Sequence, residues 1–307
     1  MVEDPKLKGI VPATVLPLTA KYQIDEDGLE DYIKWLSRSR IGGLAVNVDT
    51  GEGPHLYSEE KVKVLKIVKS IVGSSVPVVA GLQASFTSQA VEVAKEAKEA
   101  GADAVLVFPI ADFCGSPLPP EIPYKYHKAI ADEAQIPIVL FLLQKELGGV
   151  EYSEACLAKL AAVKRVIAVK EASFDAAKFL RTLRLMKSQA REISVLTGND
   201  NFIFESLVLG ADGALIGFGT LATDLQVEMY ELIEKGRYEE ARQIADRLQP
   251  LADVIFSPPV RNYRARIKEA ITIQGILKSA YMRPPLMPIS RKERDAIKEA
   301  LGNAELL

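Results

Sequence analysis

The chain has 307 residues, 48% of them hydrophobic, enough for a large core in one domain of α/β-barrel size or in two smaller ones. Its net charge of −3 argues against nucleic acid or an anionic membrane surface as a partner. Two cysteines make no disulfide framework, no apolar run reaches a membrane span, and Met1–Lys6 lacks signal-peptide character, so a cytoplasmic protein is expected.

From the N-terminus, short apolar runs alternate with stretches of helical periodicity. Ile10–Leu16 is followed by Leu29, Tyr32, Ile33 and Leu36 at helical spacing, and Leu44–Val48 by Val62, Leu65, Ile67 and Val68. Val76–Leu82 precedes Ala90, Val93, Ala94 and Ala97, and Ala104–Phe108 precedes Ile130, Ala131 and Ala134. Ile136–Leu142 leads to Ala155, Leu157, Leu160 and Ala161, and Val166–Lys170 to Phe179, Leu180, Leu183 and Met186. Ser194–Thr197 precedes Phe204, Leu207 and Val208, and Ala214–Gly217 is the eighth run. Runs that are apolar throughout indicate parallel strands covered on both faces.

Internal echoes mark the joints. Gly101-Ala-Asp-Ala and Gly210-Ala-Asp-Gly both set a glycine where a helix stops before a strand, and Val76-Pro77 and Ile136-Pro137 open two other strands. A unit of roughly 25–30 residues repeated eight times describes an α/β fold, a (β/α)8 TIM barrel, with a doubly wound open sheet as the alternative. After Leu225 only helical stretches follow: Gln226–Lys235, Tyr238–Val254, Val260–Lys278 and Arg291–Leu301. The expected organisation is a barrel over residues 1–225 and a C-terminal helical extension over 226–307, packed as one structural unit.

Barrel active sites lie at the C-terminal ends of the strands. Lys170 closes the sixth run, Val166-Ile-Ala-Val-Lys170. It reads as a desolvated amine able to form a Schiff base, or as a core-edge lysine whose head reaches water. Behind the second run, Asn47–Gly53 combines the Thr50 hydroxyl with consecutive N–H groups around Gly51, which makes a carboxylate or phosphate nest or an ordinary polar turn. After the seventh run comes Gly198-Asn-Asp200, where Asn199 or Asp200 is expected to cap the next helix. Gly217-Phe-Gly219-Thr-Leu-Ala222 matches a dinucleotide fingerprint in form, but at the last strand its glycines fit a barrel rim better. His55 and His127 make no metal-ligand pair, and Arg261, Arg264, Arg266 and Lys268 read as a solvated basic face or a subunit contact.

Taken together, these features resemble the dihydrodipicolinate synthase and N-acetylneuraminate lyase superfamily of Schiff-base aldolases, from about Gly9 to the C-terminus. The resemblance rests on Asp49-Thr50-Gly51-Glu52, Val169-Lys170-Glu171-Ala172, Thr197-Gly198-Asn199-Asp200 and Gly210-Ala-Asp-Gly213, in that order. It implies a metal-independent lyase without a cofactor, an aldolase or dehydratase acting on pyruvate or another 2-oxo acid in a homodimer or homotetramer. Lys170 would be the imine-forming nucleophile, and Thr50 with Gly51 and neighbouring N–H groups would hold the carboxylate. Gly198 would belong to the substrate-binding turn, and Ile216 would line the pocket near the imine.

The chain departs from that pattern at the proton relay. The family's strand-five tyrosine has no counterpart in Leu140–Lys145, and a second tyrosine is missing from Pro109–Phe113. The synthase's arginine after strand five is also missing, so activity of the lysine-pathway synthase is not expected. Asp49 stands where a relay threonine would be. It is the candidate general acid or base if its carboxyl lies in a mostly apolar pocket, and otherwise a turn-stabilising carboxylate. Tyr126 and His127 are weaker candidates. The alternative function is a 2-oxo-acid-binding barrel that has lost turnover.

Overall fold

The computed structural model describes residues 4–307, so Met1–Glu3 of the N-terminal segment lie outside the described residues. Eight strands alternate with helices: β1 Gly9–Pro12, β2 Leu44–Val46, β3 Val78–Leu82, β4 Ala104–Val107, β5 Ile138–Leu143, β6 Val166–Ala172, β7 Ser194–Thr197 and β8 Gly213–Ile216. Between and after them run α1 Glu26–Leu36, α2 Ser58–Val72, α3 Thr87–Glu99, α4 Glu121–Ala134, α5 Glu154–Ala161, α6 Ala176–Lys187, α7 Ile203–Val208 and α8 Thr223–Glu234. Three helices follow: α9 Tyr238–Ile255, α10 Tyr263–Ile273 and α11 Arg291–Asn303.

Every strand pair is parallel, in the order β1-β8-β7-β6-β5-β4-β3-β2. The ring closes where the Thr14 amide donates to the Ala45 carbonyl at 2.9 Å, beside a bridge between Ala13 and Ala45. This is a (β/α)8 TIM barrel with C-terminal helices, and the open sheet is excluded. Helix α8 packs on β1 and completes the outer ring, so the change to helix-only packing comes at α9, somewhat later than residue 226.

The sequence pattern explains the two layers of core. Alternate strand residues face inward and fill the barrel: Val11, Ala45, Val79, Leu106, Val139, Phe141, Ala168, Leu196 and Leu215. Their neighbours, such as Ile10, Val46, Leu140 and Val169, face the helices. Both sets are apolar, which is why the strands carry no alternation. At the start of β6 the register jumps: Ile138 pairs with Val166 but Val139 with Ala168, leaving Ile167 as a bulge. The extra residue sets the phase of the strand beyond it, so Ala168, Lys170 and Ala172 fall opposite the inward-facing Val139, Phe141 and Leu143. Among the described residues no helix is long and apolar enough to cross a membrane.

Candidate active site

Lys170 is two residues short of the end of β6, not its last residue, because β6 continues to Ala172. The continuation is held by the Gly198 amide on the Glu171 carbonyl at 2.6 Å and the Gln144 amide on the Ala172 carbonyl at 3.0 Å. The lysine is therefore sunk below the rim, with 8% of its surface exposed. Its ammonium nitrogen lies 4.6 Å from the centroid of Phe141, the residue paired with it on β5. Burial lowers its pKa to about 8, against the opposing pull of Asp200 first and Asp49 second. Gly198 makes room for it. A Cβ there would sit 2.6 Å from the lysine Cε, so a side chain at this position would displace the amine.

Asp200 does not cap α7, and neither does Asn199. The residue before α7 is Phe202, with no side-chain cap. Asp200 is buried and accepts from the Phe218 amide at 2.9 Å, across to the turn after β8. Its burial pushes the carboxyl up to about 7, with Lys170 pulling the other way. Asn199 is fully buried and donates to the Glu171 carboxylate at 2.7 Å, and its Oδ1 accepts from the Phe174 amide at 2.7 Å. The turn thus folds into the barrel mouth instead of onto its own helix.

The turn after β2 is built on strained backbone. Asn47 and Glu52 both have φ of +56°, left-handed values uncommon for such residues. The Glu52 and Gly53 amides are taken up by the Asp49 and Val48 carbonyls at 3.1 and 2.9 Å. Among the described residues, the amides of Thr50 and Gly51 donate to no backbone carbonyl, although both residues are buried. Buried N–H groups without a partner mark an anion position. The Thr50 hydroxyl beside them faces Gly217, where a Cβ would come within 3.0 Å of its Oγ1.

The surroundings of Asp49 are not apolar. Arg264 grips it with Nε 3.0 Å from its backbone carbonyl and 3.1 Å from Oδ2, while its Nη2 reaches Oδ1. Tyr263 donates its phenol to Oδ2 at 2.7 Å and lies 3.4 Å from the Thr50 hydroxyl. The tyrosine is buried, its ring stacked on Phe256 at 5.4 Å, and burial holds its pKa well above the usual phenol value. Arg264, Arg266 and Lys268 are accordingly buried and do not form a solvated face; of the basic cluster only Arg261 is exposed. The reason is that α10 packs inward. Lys268 forms an ion pair with Glu52 in which neither side chain has any exposed surface, and the Arg283 amide adds a bond to Glu52 at 2.9 Å.

Three expected residues lie elsewhere. Ile216 is turned outward, its side chain in the layer between strands and helices, while Leu215 faces the barrel interior. Tyr126 and His127 sit on α4 in an aromatic cluster with Phe113; Tyr126 belongs to the outer layer, and the His127 Nδ1 bonds to the Pro123 carbonyl at 2.7 Å. Among the described residues, Lys170, Asp49, Thr50, Gly51 and Gly198 gather at the mouth, joined by Asp200, Tyr263 and Arg264. Tyr263 and Arg264 were missed as functional residues. The only local signal for them was a run of charged and aromatic residues just past Pro258-Pro259.

A sequence profile of the dihydrodipicolinate synthetase family matches residues 6–304. A 4-hydroxy-tetrahydrodipicolinate synthase of Methanothrix thermoacetophila is 31% identical over 294 residues, covering 96% of each chain. Among solved structures, one described as the first monomeric dihydrodipicolinate synthase variant superposes with a TM-score of 0.92 at 26% identity, covering 100% of both chains. The dihydrodipicolinate synthase of Thermotoga maritima gives 0.89 at 26% identity, covering 98% of this chain and 99% of that one.

Proposed function

The chain belongs to the dihydrodipicolinate synthetase family of aldolase-type lyases, and from that premise we propose that it forms an imine between Lys170 and pyruvate or another 2-oxo acid. The observation that carries this reading is the buried, pKa-lowered amine of Lys170 in a mouth that also holds the unpaired amides of Thr50 and Gly51. Those amides suit the carboxylate of a 2-oxo acid. The amine then attacks the adjacent carbonyl carbon. Water leaves, and the resulting iminium accepts electron density from the neighbouring carbon, so a bond to that carbon can form or break.

Substrate and direction belong to the same proposal. Arg264, which stands at the mouth, is occupied by Asp49 and is not free to grip a second carboxylate. A polyhydroxylated or neutral second half fits this arrangement better than a dicarboxylic one. Borohydride reduction in the presence of pyruvate is expected to trap an adduct on Lys170, and Lys170→Ala to lose it while keeping the fold. Absence of any adduct with a panel of 2-oxo acids would count against the reading.

A second reading is a barrel that binds 2-oxo acids without turning them over. Phe141, which carries no hydroxyl, stands beside Lys170 where an acid–base group would be useful. Trapping without cleavage, condensation or dehydration across a broad panel of substrates would favour it.

A further inference from the structure

Phe141 leaves the wall of the barrel beside Lys170 without a hydroxyl, yet the mouth does contain one buried phenol. It comes from α10, outside the eightfold repeat. The turn before α10, Val260–Asn262, packs against the Lys145–Leu147 turn that follows β5, so the C-terminal helices reach across the mouth. Tyr263 opens α10, and its hydroxyl stands in a row: Thr50 Oγ1 at 3.4 Å on one side, Asp49 Oδ2 at 2.7 Å on the other. Arg264, the next residue, fixes both oxygens of Asp49 from the far side. A residue needed only to anchor α10 would not require such a row, since Arg264 and Lys268 already tie the helix to the same turn.

We propose that Tyr263 is a positioning residue for imine formation, linking the Thr50 hydroxyl to the Asp49 carboxylate as a proton relay. The inference rests on the Schiff-base reading above. Attack of the neutral Lys170 amine on the 2-oxo carbon forms the C–N bond and leaves a positive nitrogen and a negative oxygen. One proton must leave the nitrogen and one must reach the oxygen. With the phenol donating to Asp49, the row is set to receive: Thr50 accepts the nitrogen's proton and passes its own to the Tyr263 oxygen, and the phenol proton moves to Asp49. The reverse movement returns a proton to the oxygen, which leaves as water with a second proton from solvent. The C–O bond breaks, the iminium remains, and the row ends as it began. No oxidant, reductant or metal is consumed. Every member of the row comes from one chain.

The test is the rate of borohydride-trapped adduct formation with pyruvate, in the full-length protein. Tyr263→Phe removes only the hydroxyl. Its trapping rate is expected to fall on the order of 100-fold, within the range of acid–base contributions, with the final yield of adduct and the melting temperature close to wild type. Added imidazole should restore part of the rate in this variant in proportion to its concentration and leave wild type unchanged, a response that a purely structural role would not produce. A second variant, with 3-fluorotyrosine at position 263, keeps the hydroxyl and lowers its pKa; its rate should differ several-fold from wild type. Tyr263→Phe trapping within twofold of wild type, with no response to imidazole, overturns the relay. So does a fluorotyrosine protein with an unchanged rate. Failure of wild type itself to trap pyruvate or any other 2-oxo acid overturns the Schiff-base reading and the relay with it, so the two failures are told apart.

Discussion

At the scale of single residues, Lys170 and Asp200 form a mutually dependent pair. Burial takes the lysine down to about 8 and the aspartate up to about 7, each partly restrained by the other's charge. Trapping on Lys170 should therefore rise with pH through about 8, as the neutral amine appears. Asp200→Asn removes the largest influence favouring the ammonium, so the midpoint should move to lower pH; a pH–rate profile of adduct formation reads it directly. The stability linkage has the same origin. Lys170's folded value lies below its unfolded 10.5, so between about 8 and 10.5 the unfolded chain binds more protons and this group favours folding increasingly as pH rises. Gly198 gives a steric counterpart. In Gly198→Ala the added methyl meets the lysine stem, and trapping should fall on the order of 100-fold, as a misplaced nucleophile does, with the imine position unchanged.

Among the elements, the contact between α10 and the turn after β2 decides the geometry of the mouth. Its deepest part is the Lys268–Glu52 pair, which burial alone would render costly. Removing one partner leaves the other charge stranded. Lys268→Met is expected to cost about 3–5 kcal/mol in denaturant unfolding, and the double change with Glu52→Gln clearly less. The same contact shows what a one-dimensional reading reaches. The strands were legible because each is an apolar run of the right length, several of them marked off by a glycine or a proline. Lys170 was legible because it interrupts such a run with a charge. The sequence points to Asn199 or Asp200 as a cap on its own helix because capping is a short-range pattern, whereas the actual partner of Asp200 is the Phe218 amide on the next turn. The role of Tyr263 and Arg264 was not legible: their partner Asp49 is 214 and 215 residues away, and polar residues on a helix look the same whether they meet water or a buried turn.

For the whole molecule, the barrel architecture and the helical extension could both be read from periodicity, since each repeat buries its own strand and helix locally. What the extension packs against could not, because its partner Asp49 lies far back in the chain. Lys170, Thr50, Asp49, Asp200 and Tyr263 all belong to one protomer. The trapping rate per lysine should accordingly be independent of protein concentration down to dilutions where any oligomer has dissociated, as followed by mass photometry alongside the assay. A rate that collapses on dissociation would show that a neighbouring copy contributes to the site.

The distance in sequence between Asp49 and Tyr263 also has a consequence in time. During synthesis Lys170, Thr50 and Asp49 all emerge well before the phenol and guanidinium that engage Asp49. A nascent chain can thus complete all eight strands while its mouth lacks Tyr263, Arg264 and Lys268. Only when the last helices emerge from the ribosome does the reactive amine acquire its full surroundings. By the relay proposed above, imine formation reaches its full rate only after α10 has joined the barrel.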